Sequence, residues 1–310
     1  MSTLPSPSPT SETFNQRDLP PSTSRLTALD SLYSQSPSFS SSSISSSSAS
    51  SVDEPPSRAL TPGIYVPTLT FFDPQTEDLD LPTIASHAVR LASARISGLT
   101  TLGSTGEAVH LTHSERALVT RTTRRALDAA GHHTLPLIVG CGAQSTRETI
   151  ALCHEALHAG GDYALILPPS YYKASLSSAH LLAFFTDVAD ASPLPVLVYN
   201  YPAATSGTDL DSDALASLAA HPNIAGCKLT CGNTGKLARL AAATDAATPA
   251  RPGSGFLCLG GSADFTLQTL VAGGSGVMLS PTGPAIPVHL LYALIVNDGA
   301  CKISIDGRDH

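Results

Sequence analysis

The chain has no tryptophan and two methionines, and its aromatic residues amount to 5%. A core built from it must rest on aliphatic side chains. Charged residues make up only 14%, and the formal net charge of -8 gives no basic surface for nucleic acid or an anionic membrane. No apolar run approaches the roughly 18–20 residues that span a bilayer. The six cysteines, Cys141, Cys153, Cys227, Cys231, Cys258 and Cys301, are scattered, most of them among small and apolar residues. That suits buried free thiols in a reducing compartment rather than a disulfide framework. Cys227 and Cys231 have no second ligand pair at zinc spacing, so no metal is expected. Lysine is scarce too: Lys173, Lys228, Lys236 and Lys302.

What is present divides into unlike parts. Residues 1–60 are rich in serine and proline ("SQSPSFSSSSISSSSASSVDEPPS") and bury too little apolar surface to offset chain entropy, so a disordered tail is expected. The tail has no apolar targeting core, and Glu12, Asp18 and Asp30 offset its arginines. A cytoplasmic location follows, with a mitochondrial one as the alternative. A regulated interaction segment is a further reading of this tail.

Residues 61–297 show β-rich runs alternating with helical periodicity. The expected strands are 64–70, 98–102, 135–139, 163–167, 195–199, 224–228, 256–259 and 276–279. The expected helices are 81–94, 114–130, 146–159, 178–191, 212–220, 234–243 and 263–272, often opened by Ser, Thr or Asp. The strands are apolar throughout, as parallel strands covered on both faces are. Eight such units predict an α/β fold of the (β/α)8 TIM-barrel type. A doubly wound sheet is the alternative, weakened because no Gly-x-Gly-x-x-Gly turn follows the first strand.

A barrel carries its chemistry at the C-terminal ends of its strands. The sixth expected strand ends in "GCKLT", with Lys228 closing an apolar run. One reading is a lysine that ends a strand and points to water. The other is a buried amine of depressed pKa, a nucleophile toward carbonyl carbon. The second strand ends in "GSTGE", where Gly103, Ser104 and Thr105 form either an ordinary glycine turn or an amide nest for a carboxylate. The fifth ends in "VYNYP", with Tyr199 as a strand-end phenol suited to proton relay if a neighbouring ammonium lowers its pKa. "PPSYYK" places Tyr171 and Tyr172 after the fourth strand, and "LGGSADF" places Gly260 and Gly261 where they leave room for a ligand. An amine, a phenol and an anion nest at one mouth are the parts an imine chemistry on a 2-oxo acid requires.

From about Gly63 to Pro284 the chain resembles the dihydrodipicolinate synthase and N-acetylneuraminate lyase family of class I pyruvate aldolases. The resemblance rests on "GIYVPTLTFF", "GSTGEAVHLTHSER", "PPSYYK", "VYNYP", "NIAGCKLT" and "GGSADF". It implies a barrel, commonly a homo-tetramer or dimer, that acts on a small 2-oxo acid through a covalent imine with no separate cofactor. Lys228 resembles the Schiff-base lysine and Tyr199 the relay tyrosine. Ser104 and Thr105 resemble the carboxylate-binding pair, with Gly103 beside them and Ser104 bonded to Tyr199. Tyr172 resembles the tyrosine that completes a neighbouring subunit's relay. Gly261, Asp264 and Ser280 fall in the expected substrate-binding region. "YPAATSG" lacks the arginine that dihydrodipicolinate synthases carry after the catalytic tyrosine, which argues against that hydro-lyase reaction. The chain looks closest to fungal 2-keto-3-deoxy-L-galactonate aldolases and to 4-hydroxy-2-oxoglutarate aldolases. A carboxylate at Asp264 suits a polyhydroxylated sugar acid, unless it merely caps the following helix. Beyond residue 297, "DGACKISIDGRDH" departs from the family, so a C-terminally truncated barrel is expected, with 298–310 as an irregular tail. An inactive barrel acting as a binding protein is the reading of another class.

Overall fold

The computed structural model describes residues 58–279. Tail residues 1–57, Ser280, Cys301, the segment 298–310 and the region where truncation was expected lie outside the described residues.

Eight short parallel strands close on themselves in sequence order: β1 (Gly63–Pro67), β2 (Gly98–Thr101), β3 (Leu137–Gly140), β4 (Tyr163–Ile166), β5 (Val196–Asn200), β6 (Ile224–Leu229), β7 (Leu257–Gly260) and β8 (Gly276–Met278). β1 pairs with β8, so the sheet has no free edge. Between the strands run α1 (Leu81–Ala92), α2 (His113–Ala129), α3 (Thr146–His158), α4 (Ser178–Ala191), α5 (Ser212–Ala219), α6 (Thr234–Ala243) and α7 (Thr266–Val271). This is the expected (β/α)8 barrel. The expected elements are all present, and their ends shift by a few residues at most. The largest changes are the first strand, which stops at Pro67, and the seventh helix, whose first residues, 263–265, form a separate 3-10 turn.

Local chemistry starts the helices where the sequence places polar caps. The Asp80 carboxylate accepts from the Thr83 amide at 3.0 Å, and Asp211 accepts from Ala214 at 2.8 Å. Thr112 and Glu115 form a reciprocal capping box at the start of α2. Strands buried on both faces then divide the core in two. One layer, including Val66, Val139, Ile166, Val198 and Leu229, packs the outer barrel surface under the helices. A second cluster, with Tyr65, Ile138, Leu165, Leu197, Leu259 and Met278, includes Tyr199. In β1, β3, β4, β5, β7 and β8 the two layers take alternate residues, which is why these strands read as apolar throughout.

Candidate active site

The C-terminal rim brings together Lys228, Tyr199 and the 103–107 turn. Lys228 lies near the end of β6 with 6% of its surface exposed, so its side chain is turned into the protein rather than to water. β5 and β6 pair from Val196 opposite Ile224, but Leu197 then lies opposite Gly226. This irregularity gives β6 one extra residue and sets Tyr199 opposite Lys228. A regular register would set it opposite Cys227, whose thiol is buried against Cys258 on the neighbouring strand, with the sulfurs 3.9 Å apart. As it stands, Lys228 Nζ is 4.2 Å from the centre of the Tyr199 ring.

Burial dominates the electrostatics here. Desolvation lowers the Lys228 pKa from 10.5 to about 7, so a large share of the amine is uncharged near neutrality. Tyr199 is 4% exposed, and burial raises its pKa above the ordinary phenol value despite the opposing pull of the Ser104 and Thr230 hydroxyls beside it. The expectation of a phenol lowered by a neighbouring ammonium is therefore corrected: the amine is only partly charged near neutrality, and desolvation outweighs the polar neighbours. Tyr201 stacks on Tyr199 with centroids 5.8 Å apart and fixes the ring plane. Thr230 was not singled out in the sequence. Its position two residues past the lysine, on the same side of the strand, is the signal that could have found it. Its buried hydroxyl has no regular hydrogen-bond partner among the described residues.

Residues 103–107 fold into a tight turn in which Gly103 O accepts from the Gly106 amide at 3.1 Å. The amides of Ser104 and Thr105 make no hydrogen bond among the described residues, as an anion nest requires. Thr70 Oγ1 donates to Gly106 O at 2.6 Å and ties the turn to the segment after β1. Gly103, Ser104, Glu107, Gly142, Leu167 and Tyr199 are among the residues that line a cleft of about 230 Å³.

The other expected residues lie further out. Tyr171 and Tyr172 stand edge-to-face, 79% and 72% exposed, and Tyr172 does not line the cleft of its own chain. Gln144, unforeseen in the sequence, fixes that turn by accepting from the Ser170 and Tyr171 amides, each at 2.9 Å. At Gly261 a side chain would meet Thr230 Oγ1 at 2.0 Å. The absent side chain thus admits Thr230 rather than opening space for a ligand. Asp264 is exposed and accepts from the Ser262 hydroxyl, and α7 has no side-chain cap, so Asp264 does not cap it. Thr205, in the segment without arginine, is 1% exposed and spends its hydroxyl on Tyr201 O and Thr208 O. Cys141, Cys153, Cys227 and Cys258 are buried free thiols, and Cys231 is partly buried. Among the described residues no group of three or more His, Cys, Asp or Glu stands together to hold a metal ion. No helix there is long and apolar enough to cross a membrane.

A parallel barrel that holds a lysine of lowered pKa against a buried phenol, next to an amide nest, has the parts that imine chemistry on a keto acid requires. Residues 61–288 match the Dihydrodipicolinate synthetase family, and the chain belongs to that family. It is 57% identical over 224 residues to an L-threo-3-deoxy-hexylosonate aldolase of Hypocrea jecorina, covering 72% of this chain and 70% of the relative. It is 55% identical over 230 residues to a probable mitochondrial 4-hydroxy-2-oxoglutarate aldolase of Emericella nidulans, covering 74% and 71%. Among solved structures it resembles YagE of Escherichia coli K12, a family member in complex with pyruvate, with a TM-score of 0.67, 35% identity and coverage of 78% and 77%. The sequence relatives are aldolases by name, in line with a carbon–carbon lyase.

Proposed function

We propose that the protein is a class I aldolase that cleaves a 2-keto-3-deoxy sugar acid to pyruvate and a small aldehyde such as L-glyceraldehyde. The observation that carries this reading is Lys228: an amine 6% exposed, its pKa lowered to about 7, facing the ring of Tyr199.

In this reading the neutral amine adds to the C2 ketone and gives a carbinolamine. The raised pKa keeps the Tyr199 phenol protonated at neutral pH, so it acts first as a donor. It protonates the departing carbinolamine hydroxyl, which leaves as water, and the protonated imine and a tyrosinate remain. The tyrosinate takes the C4 hydroxyl proton. The C4–O electrons form the aldehyde carbonyl, and the C3–C4 pair moves into the imine as an enamine. Protonation at C3 and hydrolysis release pyruvate and the free lysine. The imine is the electron sink, so the reading needs no metal and no separate cofactor. The unpaired Ser104 and Thr105 amides beside Gly103 receive the substrate carboxylate.

The choice of substrate rests on two features. The segment after Tyr199 offers no arginine, and Thr205 is committed to the backbone there. Asp264 presents an exposed carboxylate that suits substrate hydroxyls and repels a second carboxylate. Ser280, expected from the sequence, completes the proposed substrate-binding set, and Gly261 serves it only by admitting Thr230. A second reading, cleavage of 4-hydroxy-2-oxoglutarate to pyruvate and glyoxylate, is favoured by the name of the Emericella relative. That name also supports the mitochondrial alternative over a cytoplasmic location. Tyr172 stands out from the rim, which supports a homo-dimer or homo-tetramer in which it completes a neighbouring relay.

A panel of 2-keto-3-deoxy sugar acids and 4-hydroxy-2-oxoglutarate, scored for released pyruvate, tests the proposal. Preference for a sugar acid by at least about tenfold in kcat/KM is expected, which is roughly 1.4 kcal/mol of discrimination. Preference for 4-hydroxy-2-oxoglutarate supports the second reading. No turnover with any of them supports an inactive barrel.

A further inference from the structure

We propose that Arg116 is a positioning residue for the carboxylate nest, bracing its backbone and supplying its positive charge; this rests on the reading of that nest given above. The starting point is a buried cation without a counter-ion. Arg116 is 8% exposed, and among the described residues no carboxylate lies within ion-pair distance of it; the ionisable group that acts on it most is the Cys141 thiol, which Cys153 and burial keep protonated, and Glu155 and Glu148 of α3 act on it only from further away. An uncompensated guanidinium in a protein interior is costly, and most buried charges are paired.

Its hydrogen bonds explain what it holds. Nη1 donates to Ala108 O at 2.9 Å and Nη2 to Gly140 O at 2.7 Å. Ala108 directly follows the nest turn, and its amide lies 3.5 Å from Gly103 O, the oxygen on which the turn closes. Gly140 ends β3 and touches the chain just before the nest, since a side chain there would meet Leu102 O at 1.8 Å. One planar fork thus braces residues 102–108 against β3, while Thr70 holds the turn from the side of β1. The capping box at Thr112 and Glu115 sets the first turn of α2 and so the direction from which Arg116 arrives. Arg116 also lines the cleft that Gly103, Ser104 and Tyr199 line, and its Nε makes no hydrogen bond among the described residues. A positive charge bonded only to neutral carbonyls, behind amides that themselves have no acceptor, biases this end of the cleft toward an anion.

The test compares pyruvate with methyl pyruvate, which carries the same ketone and no charge. Full-length protein is equilibrated with each probe over a concentration series and reduced with borohydride. The half-saturating concentration is read from the fraction of intact protein carrying the adduct. In Arg116→Gln the value for pyruvate is expected to rise about 10-fold or more, while that for methyl pyruvate changes less than about 2-fold. Arg116→Lys keeps the charge but loses the fork, and should fall between, with a pyruvate-only loss of about 3-fold. If Arg116→Gln does not accumulate as folded protein, Arg116→Lys carries the test. Equal changes for both probes, or none for either, overturn the inference and leave the imine reading standing. Absence of any adduct in the unaltered protein overturns the imine reading and this inference with it.

Discussion

Replacing Lys228 by methionine should stabilise the protein, and by an amount that depends on pH. Methionine matches the lysine's unbranched length without its charge. Lys228 titrates near 10.5 in the unfolded chain and at about 7 in the folded one. Below pH 7 the amine is protonated in both states, and the native protein holds a buried ammonium at a cost of roughly 5 kcal/mol. Between pH 7 and 10.5 the unfolded chain binds the extra proton. Native stability therefore rises with pH across that window, by about 1.4 kcal/mol per pH unit. The methionine variant has no such term. Its advantage over the unaltered protein should be largest at pH 6 and smaller by roughly 3 kcal/mol at pH 9. Urea unfolding at the two pH values, followed by circular dichroism, measures the difference. An advantage that stays constant, or that grows with pH, refutes the claim that this amine is buried with its pKa lowered to about 7.

Tyr199→Phe should lower kcat by roughly 10²–10⁴-fold and leave Lys228 in place. Single-turnover kinetics that stay at the unaltered rate would remove the phenol from the relay. The initial rate of imine formation with pyruvate should increase about tenfold per pH unit below pH 7 and level off above it, following the free amine. A plateau reached only near pH 10 would contradict the lowered pKa. Asp209→Asn strips the counter-ion from Lys236, a lysine that is itself 4% exposed. The loss in urea unfolding should be about 2–3 kcal/mol, less than for a fully buried pair, because Asp209 is itself exposed. Gly140→Ala drives a methyl group into Leu102 O and should cost more than about 3 kcal/mol, read as a lowered urea midpoint.

Much of this molecule was legible in its sequence because its signals are local. Strands buried on both faces read as short apolar runs, and the helices open on Asp80, Thr112, Ser145, Ser177, Asp211 and Asn233, each accepting from an amide of the first turn. Lys228 at the end of an apolar run, Tyr199 at the end of another and the GSTGE turn are separate marks that the barrel topology gathers at one rim. What escaped the sequence depends on register and on long-range contact. The extra residue in β6, which sets Lys228 opposite Tyr199, leaves no compositional trace. Thr230 gains its place beside the phenol only because Gly261 lets β7 approach β6 closely. Arg116 reads as one more arginine on an amphipathic helix until its two carbonyl partners, 8 and 24 residues away, are seen. The direction of the Tyr199 shift is hidden from the sequence for a related reason. Burial is a property of the whole fold, and here it outweighs the neighbouring hydroxyls.

The most direct measurement is covalent. The protein is incubated with pyruvate, reduced with borohydride, digested and mapped by mass spectrometry. One stable adduct is expected, on Lys228, absent from Lys228→Ala and absent when pyruvate is omitted. An unmodified protein, or an adduct carried by Lys173 or Lys236 with Lys228 untouched, would contradict this expectation.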